Sequence, residues 1–318
     1  MQTWLLTGGA GYIGGHVLRS LRERGHRPVV LDDLRSGDRR RIPADVPLVR
    51  ASVLDRGAVE RALTEHAVDG VVHLAALKAV GESVARPTHY YRENVDGVLA
   101  VVEAMAATGV GRILYSSSAA VYGSPPSPVV DELAPAVPLN PYGRSKLAGE
   151  WIVEDAARAH GWGAVSLRYF NVVGTSDPSL ADGSGSNLFP RVLAALGSGT
   201  PPVVFGTDYP TPDGSCVRDY IHVGDLASAH LAALAATAEP GYRVVNVGRG
   251  RGSSVLEVLA EFERVAGRPI ERVLGPRRPG DPASVVASAE RARELLGWRA
   301  THGLAEMVES TWAAANAG

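Results

Sequence analysis

Tyr142 and Lys146 stand four residues apart in the segment PYGRSK, at the start of a predicted helix. Because an α-helix turns once in about 3.6 residues, both side chains face the same side. A free tyrosine has a pKa near about 10, and a neighbouring ammonium lowers that pKa by favouring the phenolate. The pair therefore predicts proton abstraction from a hydroxyl group; the alternative is an exposed Tyr and Lys on a solvated helix.

Lysine is rare in this chain, which makes the position of Lys146 informative. Of the 32 basic residues only Lys78 and Lys146 are lysines, and the others are arginines. Lysine carries a compact ammonium with rotatable donors, whereas the arginine guanidinium is a broad planar fork. The bias indicates that lysine is kept where arginine does not serve, although two ordinary surface lysines would give the same count.

Ser116, Ser117 and Ser118 end the fifth predicted strand. Open α/β sheets place their ligands at the carboxyl ends of the strands. A serine hydroxyl there is able to bridge a substrate oxygen and the tyrosine. A merely polar strand end is the alternative.

A glycine-rich turn follows the first predicted strand. Residues 7–14 read TGGAGYIG, in which Gly8, Gly11 and Gly14 allow a tight turn, a close approach of the backbone to a diphosphate, and close helix packing. The following helix begins with free N–H groups that favour phosphate. Asp32 and Asp33 end the second predicted strand, where a carboxylate binds an adenosine ribose and favours NAD over NADP; nearby Arg35 weakens that distinction.

Short apolar runs alternate with helix-like segments over the first two-thirds of the chain. This pattern predicts an α/β fold, a doubly wound parallel sheet of the Rossmann type, followed by a smaller mixed α/β C-terminal lobe. The predicted strands cover residues 4–7, 28–32, 47–51, 70–74, 112–117 and 164–169. The predicted helices cover residues 14–24, 55–66, 88–108 and 142–159, then 254–266, 289–296 and 304–315, and residues 177–187 and 206–215 are predicted loops.

Composition excludes several classes of function. The 318 residues carry a formal net charge of -2, so no nucleic-acid partner is expected. No apolar run reaches the ~20 residues that span a bilayer, so no membrane partner is expected. Cys216 is the single cysteine, which excludes an internal disulfide and favours the cytoplasm. No metal site is expected.

Longer motifs narrow the class. The Gly-rich turn, the serines and Tyr-x-x-x-Lys resemble the extended short-chain dehydrogenase/reductase superfamily. The segments LAALKAVGESVARPTHYYRENVDG, SSSAAVYG, LNPYGRSK, LRYFN and VRDYIHVGDLA are similar to the UDP-galactose 4-epimerase family, and this resemblance runs from residue 4 to about 312. It implies an NAD-dependent isomerase that removes hydrogen from C4 of a UDP-hexose, turns the 4-keto sugar over, and returns hydrogen to the opposite face.

The resemblance also implies a role for each site residue. Tyr142 is the base toward the 4-hydroxyl, Ser118 is its partner, and Lys146 binds the nicotinamide ribose. Lys78 contacts NAD, and Asn94 supports the cofactor or the sheet end. The further cofactor contacts expected are Gly8, Gly11, Tyr12, Ile13, Gly14, Asp32, Asp33, Ser52, Val53, Ala75, Ser116 and Tyr169.

Residues 175–318 are expected to bind mainly the nucleotide sugar, while residues 1–174 bind NAD and residues from about 219 to 248 return to that first domain. Arg218 and Arg278 suit the diphosphate because a guanidinium matches phosphate oxygens in a bidentate manner, although a surface ion pair is the alternative for each. The other substrate contacts implied by the resemblance are Asn171, Asn187, Leu188, Phe205, Asp281 and Val285. Tyr220 and His222 are expected to be structural.

Three positions depart from the family pattern. Ser52 stands where an acidic residue commonly contacts adenine, Val172 stands where proline is usual, and Val285 lines the room for the C2 substituent of the sugar. Because valine is smaller than tyrosine, UDP-N-acetylhexosamines are also predicted to fit. The apolar positions of the helices at residues 88–108 and 142–159, such as Val98 and Ile152, suit a homodimer.

Other functions on the same fold were compared. A nucleotide-sugar dehydratase needs an acid and a base after Ser118, where Ala119 and Ala120 stand. A UDP-glucuronate epimerase or decarboxylase needs a cation facing the sugar carboxylate, and the abundance of arginine leaves the epimerase open. A silent NAD-binding regulator is disfavoured because Ser118, Tyr142 and Lys146 are all present.

Overall fold

The computed structural model describes residues 1–183, 187–278 and 280–316. The strands are β1 (Thr3–Thr7), β2 (Arg27–Leu31), β3 (Leu48–Val49), β4 (Gly70–His73), β5 (Arg112–Ser116), β6 (Val129–Val130), β7 (Gly163–Tyr169), β8 (Asn171–Val173), β9 (Val203–Phe205), β10 (Val217–His222), β11 (Gly241–Val247), β12 (Gly252–Ser254), β13 (Val273–Gly275) and β14 (Ser284–Ala287). The helices are α1 (Tyr12–Glu23), α2 (Arg56–Glu65), α3 (Val80–Ala85), α4 (Pro87–Tyr91), α5 (Gly97–Thr108), α6 (Pro141–His160), α7 (Leu188–Ser198), α8 (Val223–Ala236), α9 (Val255–Ala266), α10 (Glu290–Leu296) and α11 (Leu304–Ala315). A π-helical turn, Arg92–Asp96, joins α4 to α5.

Within these residues the large sheet has seven strands in the order β11-β7-β5-β4-β1-β2-β3, and all its pairings are parallel. Successive residues of its strands enter opposite cores: Leu6 and Val72 pack with α1 and α8, while Leu5 and Val71 pack with α2 and α5. Burial on both faces explains the near-continuous apolar runs. The predicted α/β, doubly wound parallel fold is therefore confirmed.

A second sheet, in the order β12-β10-β14-β6, supports the smaller lobe, and β8 also pairs with β10. Its β10–β12 pairing is antiparallel, whereas β10–β14 and β14–β6 are parallel. Beside it lies an apolar cluster of α7, α9 and α11, in which Phe189, Val258 and Met307 are buried. Val172 occupies the middle of β8, paired with Ile221 in β10, so valine serves this position as a strand residue.

The chain passes between the two sheets several times. Strand β6 comes from the first half of the chain but pairs in the second sheet, and β8 leaves the large sheet directly after β7. Helix α8 packs on the large sheet and strand β11 pairs with β7 in it. The second-lobe interpretation of residues 289–296 differs from what is observed, because α10 packs on α8 and β11.

The predicted strands and helices of the large sheet agree with the structure to within a few residues at each end. The sequence patterns missed β6 and β8–β14, many of which are only two or three residues long and carry no readable alternation. Residues 184–186 of the predicted loop at 177–187 lie outside the described residues. None of the described helices is both long and apolar enough to cross a membrane.

Candidate active site

A groove of about 800 Å³ opens where β1, β2 and β4 end. It lies at the point where the strand order of the large sheet reverses, which is where open α/β sheets bind their ligands. The predicted site residues that line it are Gly8, Gly11, Tyr12, Ile13, Gly14, Asp32, Asp33, Ser52, Val53, Ala75, Lys78, Tyr142, Lys146 and Tyr169.

The glycine-rich turn forms the floor of the groove at the start of α1. Gly8 has a φ of +74°, and a Cβ there would lie 2.8 Å from the Ala75 nitrogen. A Cβ on Gly14 would lie 2.1 Å from the Gly8 carbonyl oxygen. Larger residues would therefore displace the backbone that approaches the groove. The first N–H groups of α1 and its positive end face this turn, which fits a diphosphate.

Carboxylates line the groove where β2 ends. Asp32 accepts hydrogen bonds from the Ala10 nitrogen at 3.0 Å and the Leu34 nitrogen at 2.9 Å, which fixes the turn. Arg35 donates to Asp33 at 2.6 Å and to Glu93 at 3.0 Å. The Arg35 charge is thus engaged by two carboxylates, an arrangement that fits an NAD ribose and disfavours an additional phosphate.

The residues of this groove fit a dinucleotide: a glycine turn at a helix start, carboxylates beside it, and space for an extended ligand. Asn94 lies behind the groove wall, where its Oδ1 accepts from the Leu77 nitrogen at 2.8 Å and its Nδ2 donates to the Leu77 oxygen at 3.0 Å. It holds the segment that precedes Lys78. Ser52 lines the groove, and its Oγ accepts from the Leu54 nitrogen at 3.2 Å.

Helix α6 carries Tyr142 in its first turn and Lys146 in its second. Asn140 caps this helix by accepting from the Gly143 nitrogen at 2.9 Å, and Pro141 occupies the first position. Tyr142 is 8% exposed, and the Ser118 side chain lies near enough to oppose the rise of its pKa. The Ser118 hydroxyl oxygen accepts from the Ala120 nitrogen at 3.1 Å, so its proton is available to the Tyr142 oxygen.

Lys146 is 2% exposed, and its Nζ donates to the Ser116 carbonyl oxygen at 2.8 Å. Ser116 therefore acts from behind the groove: its Oγ contacts His230 Nε2 at 2.9 Å and its carbonyl holds the lysine. Burial lowers the pKa of the Lys146 ammonium to about 7, and the Glu150 carboxylate opposes this shift.

The expectation that Lys146 lowers the pKa of Tyr142 is wrong for this structure. Burial of the phenol raises the pKa of Tyr142, and the Ser118 hydrogen bond only opposes the rise. The physical reason is that the lysine is itself buried, so its ammonium loses hydration and is directed at the Ser116 carbonyl. The motif spacing correctly placed both side chains on one helix face but could not give their desolvation.

The predicted substrate residues form three groups in the smaller lobe. Arg218 donates to the Asp281 carboxylate, and Val285 pairs with Arg218 between β14 and β10. The Arg278 guanidinium lies 3.9 Å from the centre of the Phe205 ring. The third group, Asn171, Asn187 and Leu188, comes from the first residue of β8 and the start of α7.

This third group connects the smaller lobe to the groove. Asn187 Nδ2 donates to Asp182 Oδ2 at 3.3 Å, and Asp182 itself lines the groove 4.0 Å from Lys78 Nζ. Asn171 Nδ2 donates to the Asp219 carbonyl oxygen at 3.0 Å. Tyr220 is buried against Phe189, and His222 stacks on His302 with ring centres 4.2 Å apart, which agrees with the structural role expected for both.

Sequence reasoning missed several residues that line the groove. The largest group comes from helices α3 and α4 and the π-helical turn: Glu82, Arg86, His89, Tyr90 and Glu93. These residues recur at helical spacing, but spacing alone does not show that this face of the helical segments meets the groove. Arg41 and Asp182 also line it, and Arg41 Nη2 donates to the Ala181 oxygen at 2.8 Å. Only the folded chain brings residue 41 next to residue 181.

Comparison with protein families places most of the chain in one family. The model of the NAD dependent epimerase/dehydratase family matches residues 4–248. A UDP-glucose 4-epimerase of Azospirillum brasilense is 46% identical over 304 residues, which cover 94% of this chain and 87% of that protein. One of Streptomyces lividans is 45% identical over 97% of this chain and 94% of its own length.

Solved structures that resemble this chain are also those of UDP-sugar 4-epimerases. A UDP-glucose 4-epimerase of Stenotrophomonas maltophila, with bound NAD and formylated UDP-arabinopyranose, has a TM-score of 0.96 and 40% identity, over 100% of this chain and 98% of that one. The UDP-Glc/GlcNAc 4-epimerase of Campylobacter jejuni has a TM-score of 0.88 and 36% identity, with 100% of both chains covered.

Proposed function

Because the chain belongs to the NAD dependent epimerase/dehydratase family, we propose that it is an NAD-dependent isomerase that interconverts UDP-glucose and UDP-galactose at C4. The observation that carries the proposal is the placement of Tyr142 near Ser118, beside a groove that Tyr142 and Lys146 both line. A base on a rigid helix, next to a dinucleotide groove, suits removal of a proton from the sugar O4 hydroxyl together with a hydride from C4.

The chain's own residues divide the tasks around the cofactor. The Gly8–Gly14 turn would hold the diphosphate, Asp32 and Asp33 the adenosine ribose, and Lys146 the nicotinamide ribose. When bound, NAD supplies the acceptor and later the donor for the hydrogen of C4.

Tyr142 is the group proposed to move the proton. Its oxygen takes the proton of the sugar O4 hydroxyl, and the Ser118 hydroxyl stabilises the phenolate because it donates to the same oxygen. The proton returns to O4 after the 4-keto sugar has presented its other face. Burial raises the pKa of the Tyr142 phenol, and the proposed base depends on the Ser118 hydroxyl, which opposes that rise.

The smaller lobe is proposed to hold the nucleotide while the sugar turns. Arg218 and Arg278 would bind the diphosphate, Asp281 a ribose hydroxyl and Phe205 the uracil ring, with Asn171, Asn187 and Leu188 nearer the sugar. The contact of Arg278 with Phe205 and the Arg218–Asp281 pair support this division, since they already hold the side chains together. Firm anchoring of UDP leaves the hexose free to rotate.

UDP-N-acetylhexosamines are a second candidate substrate. Val285 belongs to an apolar cluster with Tyr122 and Phe170. Its short side chain fills less space beside the proposed sugar site than an aromatic side chain would. A 4-epimerase of similar fold, that of Campylobacter jejuni, acts on both UDP-Glc and UDP-GlcNAc. UDP-glucuronate would need a cation at the sugar, and no contact in the described residues favours it over a neutral hexose.

A homodimer in the cytoplasm completes the proposal. Helices α5 and α6 lie side by side. Leu99 on α5 is 41% exposed and Trp151 on α6 is 58% exposed, so both helices present apolar side chains to solvent. Val98, Val101 and Val153, by contrast, are buried against the sheet and do not contribute to that surface. Pairing of α5 and α6 with those of a second copy would cover the exposed indole.

The first experiment incubates the purified chain with UDP-galactose and no added cofactor, and separates the products by chromatography. Formation of UDP-glucose, abolished in Tyr142→Phe, is the expected result and shows that NAD accompanies the protein. UDP-N-acetylgalactosamine and UDP-glucuronate in parallel reactions rank the substrates. If none is converted even after NAD is added, UDP-sugar 4-epimerisation is excluded.

A further inference from the structure

Three residues of α6 contact the three serines at the end of β5. Tyr142 contacts Ser118, Lys146 contacts the carbonyl of Ser116, and Glu150 accepts from the Ser117 hydroxyl. The helix residues are spaced by four, so they lie on one face and follow one another along the helix. The proposed reaction uses the first two and assigns nothing to Glu150.

Glu150 is buried together with a cation. Arg168 on β7 donates from Nε to Glu150 Oε1 at 2.9 Å and from Nη2 to Oε2 at 2.6 Å. Its Nη1 also donates to the Tyr122 oxygen at 3.0 Å, and Tyr122 donates to Asn246 Oδ1 at 2.7 Å. The carboxylate thus has a full set of partners, and this network ties α6 to β7 and β11.

The same carboxylate is part of the electrostatic surroundings of Lys146. On α6 the lysine is flanked by Tyr142 and Glu150; from β5 the Tyr115 ring centre lies 5.1 Å from its Nζ. From β4, His73 faces it, and burial lowers the pKa of His73 to about 3, so this imidazole is neutral near pH 7. Among these groups Glu150 supplies the negative charge that offsets the burial of the ammonium.

A buried ion pair is not required for the stability of a protein core. Well-packed apolar residues of similar volume stabilise a core as well or better than a buried pair. A stabilising role would therefore not require a carboxylate that also bonds Ser117 and faces Lys146. The position of Glu150, one turn beyond the lysine and in contact with the serine between the two functional ones, indicates a task in the site.

We propose that Glu150 is a positioning residue, which holds Ser117 so that Ser116 and Ser118 stay in register with α6, and which places a carboxylate one helical turn beyond Lys146. The inference rests on the proposed function, because it assigns Glu150 to the same reaction. Arg168 orients the carboxylate through its hydrogen bonds from Nε and Nη2, while Glu150 itself touches neither sugar nor cofactor.

The test compares Glu150→Gln with Glu150→Asp, which keeps the charge but shortens the side chain. Both should lower kcat, Glu150→Gln by roughly 100-fold because the base is misplaced, with the KM for UDP-galactose changed little. Only Glu150→Gln should alter the pH profile. Loss of the anion lowers the pKa of Lys146, so the alkaline decline of kcat should move to lower pH by about one unit.

A binding measurement provides an independent readout. NADH fluorescence titrations against pH, without sugar, should show weaker binding on the alkaline side for Glu150→Gln and an unchanged profile for Glu150→Asp. If wild type binds NADH but converts no UDP-sugar, the proposed function fails, while the shifted binding profile still decides the role of Glu150. An unshifted profile in folded Glu150→Gln would overturn the inference.

Two further variants separate positioning from folding. Glu150→Gln with Arg168→Met removes both charges, so that no buried cation is left unpaired, and should keep the alkaline shift at near wild-type thermal stability. Asp225→Asn is the matched control: this buried carboxylate accepts from the Thr301 and His302 nitrogens at 3.0 Å and 2.9 Å, and its loss should leave the pH profile unchanged. If neither Glu150→Gln nor its combination with Arg168→Met folds, Glu150 serves only stability and the proposal is wrong.

Discussion

The end of β5 with α6 and the ligand side of the smaller lobe are built in different ways. In the first region Tyr142 and Lys146 are buried at one strand end, Tyr142 near Ser118 and Lys146 hydrogen-bonded to the Ser116 carbonyl. In the second, the Arg218 and Asp281 side chains pair across the lobe and stay 15% and 25% exposed. The proposed catalytic groups are buried, whereas the proposed anchoring groups stay partly exposed to a ligand.

This difference follows from what each region must do. A base and its partners act only at a defined distance from one reacting atom, so their positions are fixed by buried contacts. A diphosphate is a large, strongly charged ligand that binds to partly exposed guanidinium groups without burying an unpaired charge beforehand. Variants in the first region should therefore change kcat, and those in the second should change KM.

The largest effect is expected for Tyr142→Phe. Removal of the phenolic oxygen removes the proposed base, and general acid–base catalysis contributes typically about 10²–10⁴-fold to a rate. We expect kcat to fall at least about 1000-fold, with UDP-sugar binding by calorimetry unchanged. Phenylalanine keeps the packing, so the melting temperature is the control. A loss of ten-fold or less would mean that another group takes the proton.

Arg278→Leu tests the second region. Hydrogen bonds to charged groups contribute about 1.5–3 kcal/mol, so the KM for UDP-galactose should rise roughly 10- to 100-fold with kcat little changed. The matched control is Arg277→Leu, whose guanidinium donates to Asp208 at 2.8 Å and is not assigned to the ligand. Equal KM values for the two variants would remove Arg278 from the site.

Val285→Tyr tests whether the space near this residue sets the choice of sugar. The larger ring should lower kcat/KM for UDP-N-acetylglucosamine about ten-fold or more relative to UDP-glucose, a usual size for a steric effect in a pocket. Val285→Ile, which adds one carbon, should have a smaller effect in the same direction. Unchanged relative rates for both variants would show that Val285 does not contact the C2 substituent.

The smallest effect concerns the acid stability of the region behind the catalytic groups. Burial lowers the pKa of His73 to about 3 and that of His230 to about 4, well below their value in an unfolded chain. The unfolded state therefore binds more protons, so this stability is complete above about pH 6.5 and declines as the pH falls. Urea titrations should show an unfolding free energy that drops by up to about 1.4 kcal/mol per pH unit for each histidine.

Variants sharpen this measurement. His230→Gln should make the decline shallower, because one fewer group gains a proton on unfolding, whereas exposed His160→Gln should leave the slope unchanged. A free energy of unfolding that stays level between about pH 7 and pH 5 would contradict the neutral state of these buried imidazoles.

The parallel sheet and the dinucleotide groove were predictable because their signals are local. Gly8, Gly11 and Gly14 act within one turn, and Tyr142 and Lys146 act within one helix, so spacing alone places them. Glu93 and Arg41 line the same groove but carry no such spacing. The division of the chain into two domains was harder to predict, since β6 and β8 pair in the second sheet although they precede residue 174 in sequence.

What the sequence alone determined was therefore the fold class, the face of α6 and the strand ends that meet it, because periodicity and turn chemistry act over a few residues. Only the tertiary structure decided how the chemical groups behave. Burial by distant segments raises the pKa of Tyr142 and lowers the pKa of Lys146. Segments distant in the sequence also bury the Glu150–Arg168 ion pair. Desolvation depends on every atom that displaces water, and no motif records that.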